Sequence, residues 1–238
     1  MDAIVERALA DGCALRDAGF HALVVENYGD RPFVRTGLSS ASVAAMGVAA
    51  NEVRRETGLP IGINALRNDA EAALGIAAAA GATFIRVNVH TGVYVTDQGI
   101  IEGRAAETLQ YRKQLECRVA ILADVQVKHA VPLGETDIAR LAKDTAYRGM
   151  ADGLIVTGPA TGESAELEDI RRVREAVPDR RLFAGSGVTV PNVAEILRMT
   201  GGIIVGTGVK QGGKTENAVD PVAARALVIA ARGDRQAP

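Results

Sequence analysis

The sequence predicts a single α/β domain, a (β/α)₈ TIM barrel whose first strand is missing from the chain. Three observations predict it. Short runs rich in Val and Ile alternate with longer Ala-, Leu-, Glu- and Arg-rich segments of helical period, the pattern of repeated βα units around a parallel sheet. Runs such as Leu154-Ile155-Val156 and Ile203-Ile204-Val205 are apolar throughout, as strands covered on both faces must be. The length of 238 residues is close to the roughly 250 usual for such a barrel, and no composition break or polar linker divides it.

The first element, Ala3–Ala18, reads as a helix. Ala22–Asn27 is the first strand candidate, followed by a helix over Ser40–Thr57. Pro60–Leu66 is the second, and Asn68-Asp69 opens an Ala-rich helix over Asp69–Ala80. Phe84–His90 is the third, with a helix over Ala105–Cys117. Val119–Val127 is the fourth, after which Thr136-Asp137 starts a helix over Thr136–Arg148. Gly153–Gly158, Arg181–Gly187 and Gly202–Val209 complete the strands, with helices at Glu163–Val177, Val190–Thr200 and Pro221–Arg232. Seven strands stand where a closed barrel has eight. A start placed too late, an open barrel or a neighbouring chain filling the gap would each account for this. The first is favoured, because an open barrel leaves two unpaired strand edges.

Composition narrows the partners. Net charge is −2 and the pI about 6.0, so no basic footprint points to nucleic acid. Aromatic residues are 3% of the chain and Trp is absent, which also removes the stacking platforms single-stranded nucleic acids use. No stretch reaches the roughly 18 uncharged apolar residues a membrane helix needs, and the first residues carry acids rather than a basic signal-peptide start. A soluble, cytoplasmic protein without direct membrane insertion is expected. Cys13 and Cys117 lie far apart and read as free thiols.

Alternation places polar residues in the lumen. Arg86, Asn88 and His90 share one parity, as do Asp124, Gln126 and Lys128 on the next strand. Helices cover the outer face of a parallel barrel, so these groups point inward, where charges must be paired. Arg86 and Asp124 are natural partners. Their bridge either merely fills the barrel or belongs to a functional set that recurs at the strand ends with Asn27 and Thr157, in which Glu26, Asn64, Arg86, Asn88, Asp124 and Lys128 are the catalytic candidates.

The last two strands carry a second signal, in Gly185-Ser186-Gly187-Val188-Thr189 and Gly206-Thr207-Gly208-Val209-Lys210. Glycines let backbone N–H groups approach an anion, and barrels of this kind commonly hold a phosphate after strands seven and eight. Glycine turns alone explain one such loop less strainedly than two. Thr157-Gly158-Pro159-Ala160-Thr161-Gly162 can add donors or be a plain turn, and Lys210 and Lys214 can supply cations or lie in a solvated loop. His21 reads as structural; His90 and His129 lie near strand ends and read more readily as bystanders than as proton carriers. No His/Asp/Glu cluster has a metal-ligand spacing, and no cofactor is indicated; a divalent ion such as Mg²⁺ held by Glu26, Asp124 and Asn side chains stays open.

Read together, these segments resemble the BtpA family, also called BtpA/SgcQ. The resemblance rests on Val24-Val25-Glu26-Asn27-Tyr28-Gly29-Asp30-Arg31-Pro32-Phe33, Gly62-Ile63-Asn64 through Leu66-Arg67-Asn68-Asp69, and Phe84-Ile85-Arg86-Val87-Asn88 with Thr96-Asp97-Gln98-Gly99. Ala123-Asp124-Val125-Gln126-Val127-Lys128-His129, Thr157-Gly158 with Thr161-Gly162, and the two glycine-rich strand ends complete it. It covers almost the whole chain. The resemblance implies a barrel of the ribulose-phosphate-binding type that normally begins with a strand and a Pro/Gly-rich loop containing a His. It also implies links both to photosystem I biogenesis and to carbohydrate uptake and metabolism.

Two functions follow as expectations. One is an enzyme acting on a small phosphorylated metabolite, a sugar phosphate or a nucleoside-derived phosphate. Thr157, Gly158, Gly185, Ser186, Gly187, Gly206, Thr207 and Gly208 would hold its phosphate. Asp124 or Glu26 would act as base, and Arg86 or Lys128 would stabilise negative charge on oxygen. Isomerisation, epimerisation and aldol cleavage all fit. The other is a non-enzymatic accessory factor for assembly of a membrane complex such as photosystem I. A homo-oligomer is expected in either case.

Overall fold

The computed structural model describes residues 1–158 and 165–233. The chain begins with α1 (Asp2–Ala18), β1 (Leu23–Glu26), α2 (Ser40–Thr57), β2 (Ile61–Asn64), α3 (Ala70–Ala80) and β3 (Phe84–Val87). A hairpin of β4 (Val93–Thr96) and β5 (Gly99–Glu102) follows, then α4 (Ala105–Gln114), β6 (Ala120–Asp124), β7 (Ala130–Pro132) and α5 (Ile138–Lys143). The last part holds β8 (Gly153–Val156), α6 (Leu167–Ala176), β9 (Arg181–Ala184), α7 (Val193–Met199), β10 (Gly202–Ile203) and α8 (Pro221–Gly233).

Seven of these strands pair in parallel in the order β1-β2-β3-β6-β8-β9-β10 and curl into an incomplete barrel. β1 and β10 are its edges, and no pairing joins them among the described residues. Ser39 caps α2 through the Ser42 amide, Asp69 caps α3 through Ala72 and Asp137 caps α5 through Arg140.

Register partners show how the lumen fills. Gly62 lies beside Phe84, Gly153 beside Leu122 and Gly202 beside Phe183. A Cβ on Gly62 would stand 2.0 Å from the Phe84 ring, and one on Gly153 would stand 2.7 Å from Leu122. Each large side chain therefore needs a glycine on the neighbouring strand. Phe84, Leu122 and Phe183 each sit two residues before a group at the mouth: Arg86, Asp124 and Gly185. They floor the site. The alternate residues Ile61, Ile63, Ile85, Ile121, Leu154 and Leu182 face the helices and are fully buried. Met46, Val53 and Leu74 cover the first half of the sheet, and Leu141, Ile170, Ile196 and Leu227 the second.

Several boundaries differ from the sequence expectation. The strand expected over Gly202–Val209 pairs only at Gly202–Ile203, and 207–209 and 211–213 form 3₁₀ turns. Gly206, at φ −127° and ψ −82°, turns the chain out of extended geometry into the first of these turns. Val119–Val127 pairs only over Ala120–Asp124, and Phe84–His90 only over Phe84–Val87. The helix expected over Thr136–Arg148 starts at Ile138, and its last turn, Asp144–Arg148, is a π-helix. The helix expected from Glu163 is seen from Leu167; Glu163 lies outside the described residues. The sequence reading missed the antiparallel sheet β5-β4-β7, whose short strands sit in what reads as loop. No helix among the described residues is long and apolar enough to cross a membrane.

Candidate active site at the strand ends

Arg86 and Asp124 meet as their parity predicts. Arg86 Nε donates to Asp124 Oδ1 and Nη2 to Oδ2, each at 3.0 Å, and Asn88 Nδ2 adds a third bond to Oδ2. Burial works against the guanidinium's charge, but the Asp124 charge and hydrogen bonds overcome it and raise the Arg86 pKa. At the end of β1, Glu26 accepts at Oε1 from Asn64 Nδ2, its register partner on β2, at 2.6 Å. Its Oε2 has no protein donor among the described residues. The Asn64 and Asn88 Oδ1 atoms are buried without a partner among the described residues. Lys128 is half-buried beyond β6, and burial, then the nearby Arg86 charge, lowers its pKa.

A cavity of about 960 Å³ opens at this end of the barrel. Glu26, Arg86, Asn88, Lys128, Gly185, Ser186, Gly187, Gly206, Thr207 and Gly208 all line it. Asn64 and Asp124 lie one layer beneath, bonded to Glu26 and to Arg86 with Asn88. Thr157 and Gly158 are off the cavity wall; Thr157 Oγ1 instead donates to the Gln126 carbonyl at 3.0 Å. Residues 159–162 of that loop lie outside the described residues.

The glycine-rich loops meet on one flank. A Cβ on Gly208 would stand 2.8 Å from the Val188 carbonyl, and one on Gly185 2.5 Å from Ile155, so both positions exclude a side chain. Gly206 faces open space. Three consecutive amides, of Gly206, Thr207 and Gly208, have no protein acceptor among the described residues. All three residues line the cavity, Gly206 and Gly208 being exposed and Thr207 half-buried.

Lys210 is not one of the anion's free cations: its ammonium pairs with Asp11 Oδ2 on α1, and Asp11 Oδ1 accepts from the Val219 amide. The donor set considered for a divalent ion fits poorly, because both Asp124 oxygens are taken by Arg86 and Asn88. Among the described residues, no group of three or more His, Cys, Asp or Glu side chains could hold a metal. His90 is buried off the cavity with Nε2 on the Gly149 carbonyl at 2.8 Å, whereas His129 lines the cavity.

Sequence reasoning did not name Tyr28, Arg31, Arg67, Asp97 and Gln98 as site residues, yet all line the cavity. Arg67 was within reach, as a charged residue just past a strand end. Asp97 and Gln98 arrive on the β4–β5 hairpin, whose placement no periodicity signals.

Comparisons with known proteins agree with this architecture. The chain is 43% identical over 230 residues to the photosystem I biogenesis protein BtpA of Synechocystis sp., covering 97% of this chain and 80% of that one. It is 44% identical to an uncharacterized protein of Thermococcus kodakarensis, covering 99% and 88%. The putative sgc region protein SgcQ of Escherichia coli is 31% identical, covering 92% and 81%. Among solved structures, phosphoribosyl anthranilate isomerase from Thermus thermophilus matches with a TM-score of 0.63 at 15% identity over 95% of each chain. Orotidine 5′-phosphate decarboxylase from Pyrococcus horikoshii matches with a TM-score of 0.63 at 18% identity, over 96% of this chain and 95% of that one. These matches show the TIM-barrel fold. The BtpA family model matches residues 1–233, and with relatives this similar over nearly its whole length the chain belongs to the BtpA family.

Proposed function

We propose that this chain is an enzyme acting on a small phosphorylated metabolite, a sugar phosphate or a nucleoside-derived phosphate, through proton transfer at a carbon beside a carbonyl. The observation that carries this reading is the run of three unpartnered amides, Gly206 to Gly208, facing a cavity whose wall also bears Glu26, Arg86, Asn88 and Lys128. The amides, with Ser186 and Gly187 alongside, receive the phosphate. Glu26 takes the proton on Oε2 while Asn64 holds Oε1. The electron pair left on carbon moves to the carbonyl oxygen, where the Lys128 ammonium stabilises it. Returning the proton to the former carbonyl carbon, while the neighbouring hydroxyl passes its own proton to the enolate oxygen and becomes the new carbonyl, completes an isomerisation; protonating the original carbon on its other face completes an epimerisation. Asp124, with both oxygens occupied, positions Arg86 and Asn88 rather than acting as base.

A second reading is supported by the similarity to a photosystem I biogenesis protein: an accessory factor for assembly of a membrane complex, with the mouth residues kept for ligand sensing. Self-association is part of the proposal in either case, supported by Val222 and Ile229, exposed on one face of α8.

Thermal unfolding against sugar phosphates, nucleotides and inorganic phosphate, with and without Mg²⁺, tests the enzyme reading. A ligand at about 100 times its Kd adds roughly 2.7 kcal/mol, a melting shift of roughly 5–10 °C for a chain of this size. Gly206→Glu, at a position open to the cavity and at negative φ, should abolish the shift without unfolding the protein. No shift with any phosphate would transfer the weight to the accessory factor.

A further inference from the structure

The cavity has a second cationic flank that phosphate binding does not use. Arg67 lines it and is 5% exposed, yet it forms no ion pair among the described residues. Its guanidinium makes one hydrogen bond, from Nη2 to the Lys128 carbonyl at 2.5 Å. Burial lowers its pKa, and the charges of Asp124 and Asp97 only partly offset this from beyond contact distance. A buried guanidinium without a carboxylate is costly and is normally retained only where an anion arrives to meet it.

Its surroundings are built to keep it there. The loops after β1 and β2 are laced together: the Leu66 amide donates to Asn27 Oδ1 at 2.8 Å, and the Arg67 amide to the Val34 carbonyl at 3.1 Å. The same lacing brings Arg31 to the cavity, its guanidinium 4.5 Å from the centre of the Tyr28 ring and likewise without an ion pair among the described residues. Two arginines therefore stand on the β1–β2 flank, while the unpartnered amides belong to the loop after β10. Asn88 Oδ1, buried without a donor between them in the strand order, can accept from a hydroxyl.

We propose that the site takes a substrate with an anionic group at each end, a phosphorylated polyhydroxy acid that also carries a ketone or aldehyde carbonyl, whose phosphate lies on the Gly206–Gly208 amides and whose carboxylate lies on Arg67 and Arg31. This rests on the phosphate reading above and assigns the other end of the same ligand. Arginine suits the role because its planar fork matches two carboxylate oxygens at once.

The experiment is calorimetric titration of wild type, Arg67→Gln, Arg67→Lys and Arg31→Gln with four probes: ribose 5-phosphate, 6-phosphogluconate, fructose 1,6-bisphosphate and gluconate. Circular dichroism establishes that each variant is folded, and Arg31→Gln, at an exposed residue, serves if the Arg67 variants are not. The expected result is that 6-phosphogluconate binds wild type at least about tenfold more tightly than ribose 5-phosphate. Arg67→Gln or Arg31→Gln should remove that advantage while leaving ribose 5-phosphate binding within about twofold. Tighter binding of the bisphosphate than of the phosphogluconate would overturn the carboxylate in favour of a second phosphate. Equal binding of mono- and dianions would overturn the inference and leave the phosphate reading standing. Arginine-dependent binding of gluconate with no binding of ribose 5-phosphate would support the carboxylate flank and sink the phosphate reading. No binding of any probe would sink both.

Discussion

Arg86 and Asp124 face each other across adjacent strands with two parallel nitrogen-to-oxygen bonds of 3.0 Å, and neither side chain is more than 6% exposed. Removing one partner leaves the other charge buried and unpaired. Asp124→Asn should therefore lower unfolding stability by about 3–5 kcal/mol, read as a shift in urea midpoint. Replacing both residues by apolar ones of similar volume should recover most of that loss. If the double variant instead loses the sum of the two single losses, the pair does not act as a unit.

Gly62 should not tolerate even a methyl group. The Phe84 ring occupies the space where its Cβ would lie. Gly62→Ala should cost about 1–3 kcal/mol through overpacking, and adding Phe84→Leu should return part of it. Additive losses in the double variant would show that the two positions are not in conflict.

His90 gives the stability a pH dependence. Burial lowers its pKa below the ordinary value of 6.5, so the folded protein holds it neutral while the unfolded chain protonates it. The unfolded state then binds more protons as pH falls through that value, and stability drops on the acidic side. Between pH 7.5 and 5 the wild type should lose more stability than His90→Gln. Identical slopes in chemical denaturation at several pH values would contradict this.

Tyr94 ties the β4–β5 hairpin to the barrel through its hydroxyl on the Val125 carbonyl at 2.9 Å. Burial, then the Asp124 charge, pushes its pKa up to about 12. The native state therefore keeps a proton that the unfolded chain releases above pH 10, and stability falls as pH rises from 10 towards 12. In an absorbance titration at alkaline pH one tyrosine should ionise about two pH units late, and Tyr94→Phe should delete that step.

Much of this was legible in the residues because the parallel sheet writes itself twice, as short apolar runs and as parity. Arg86, Asn88 and Asp124 share one parity and meet in the lumen for that reason. The glycine pairs at 185–187 and 206–208 reach one cavity because they end neighbouring strands. Contacts that depend on how loops fold back were not legible. Arg67 is held at the cavity by bonds that the Leu66 and Arg67 amides donate to Asn27 Oδ1 and the Val34 carbonyl, far upstream. The hairpin β4–β5 finds its third strand, β7, across α4 and β6, and three- and four-residue strands leave too little pattern to read. Lys210, which the sequence left open as a cation for the ligand or part of a solvated loop, is held by Asp11, at a separation of 199 residues.

That last contact bears on how the protein is made. Asp11 grips both Lys210 and the Val219 amide, so the loop bearing the Gly206–Gly208 amides is braced by a helix whose Asp11 lies 199 residues before Lys210. Closing so long a loop is entropically slow and cannot begin until Lys210 and Val219 have left the ribosome. The first strands can pair and bury their core while synthesis continues; the loop after β10 takes its place later. A nascent chain would be assembled around β2 and β3 well before that brace could form.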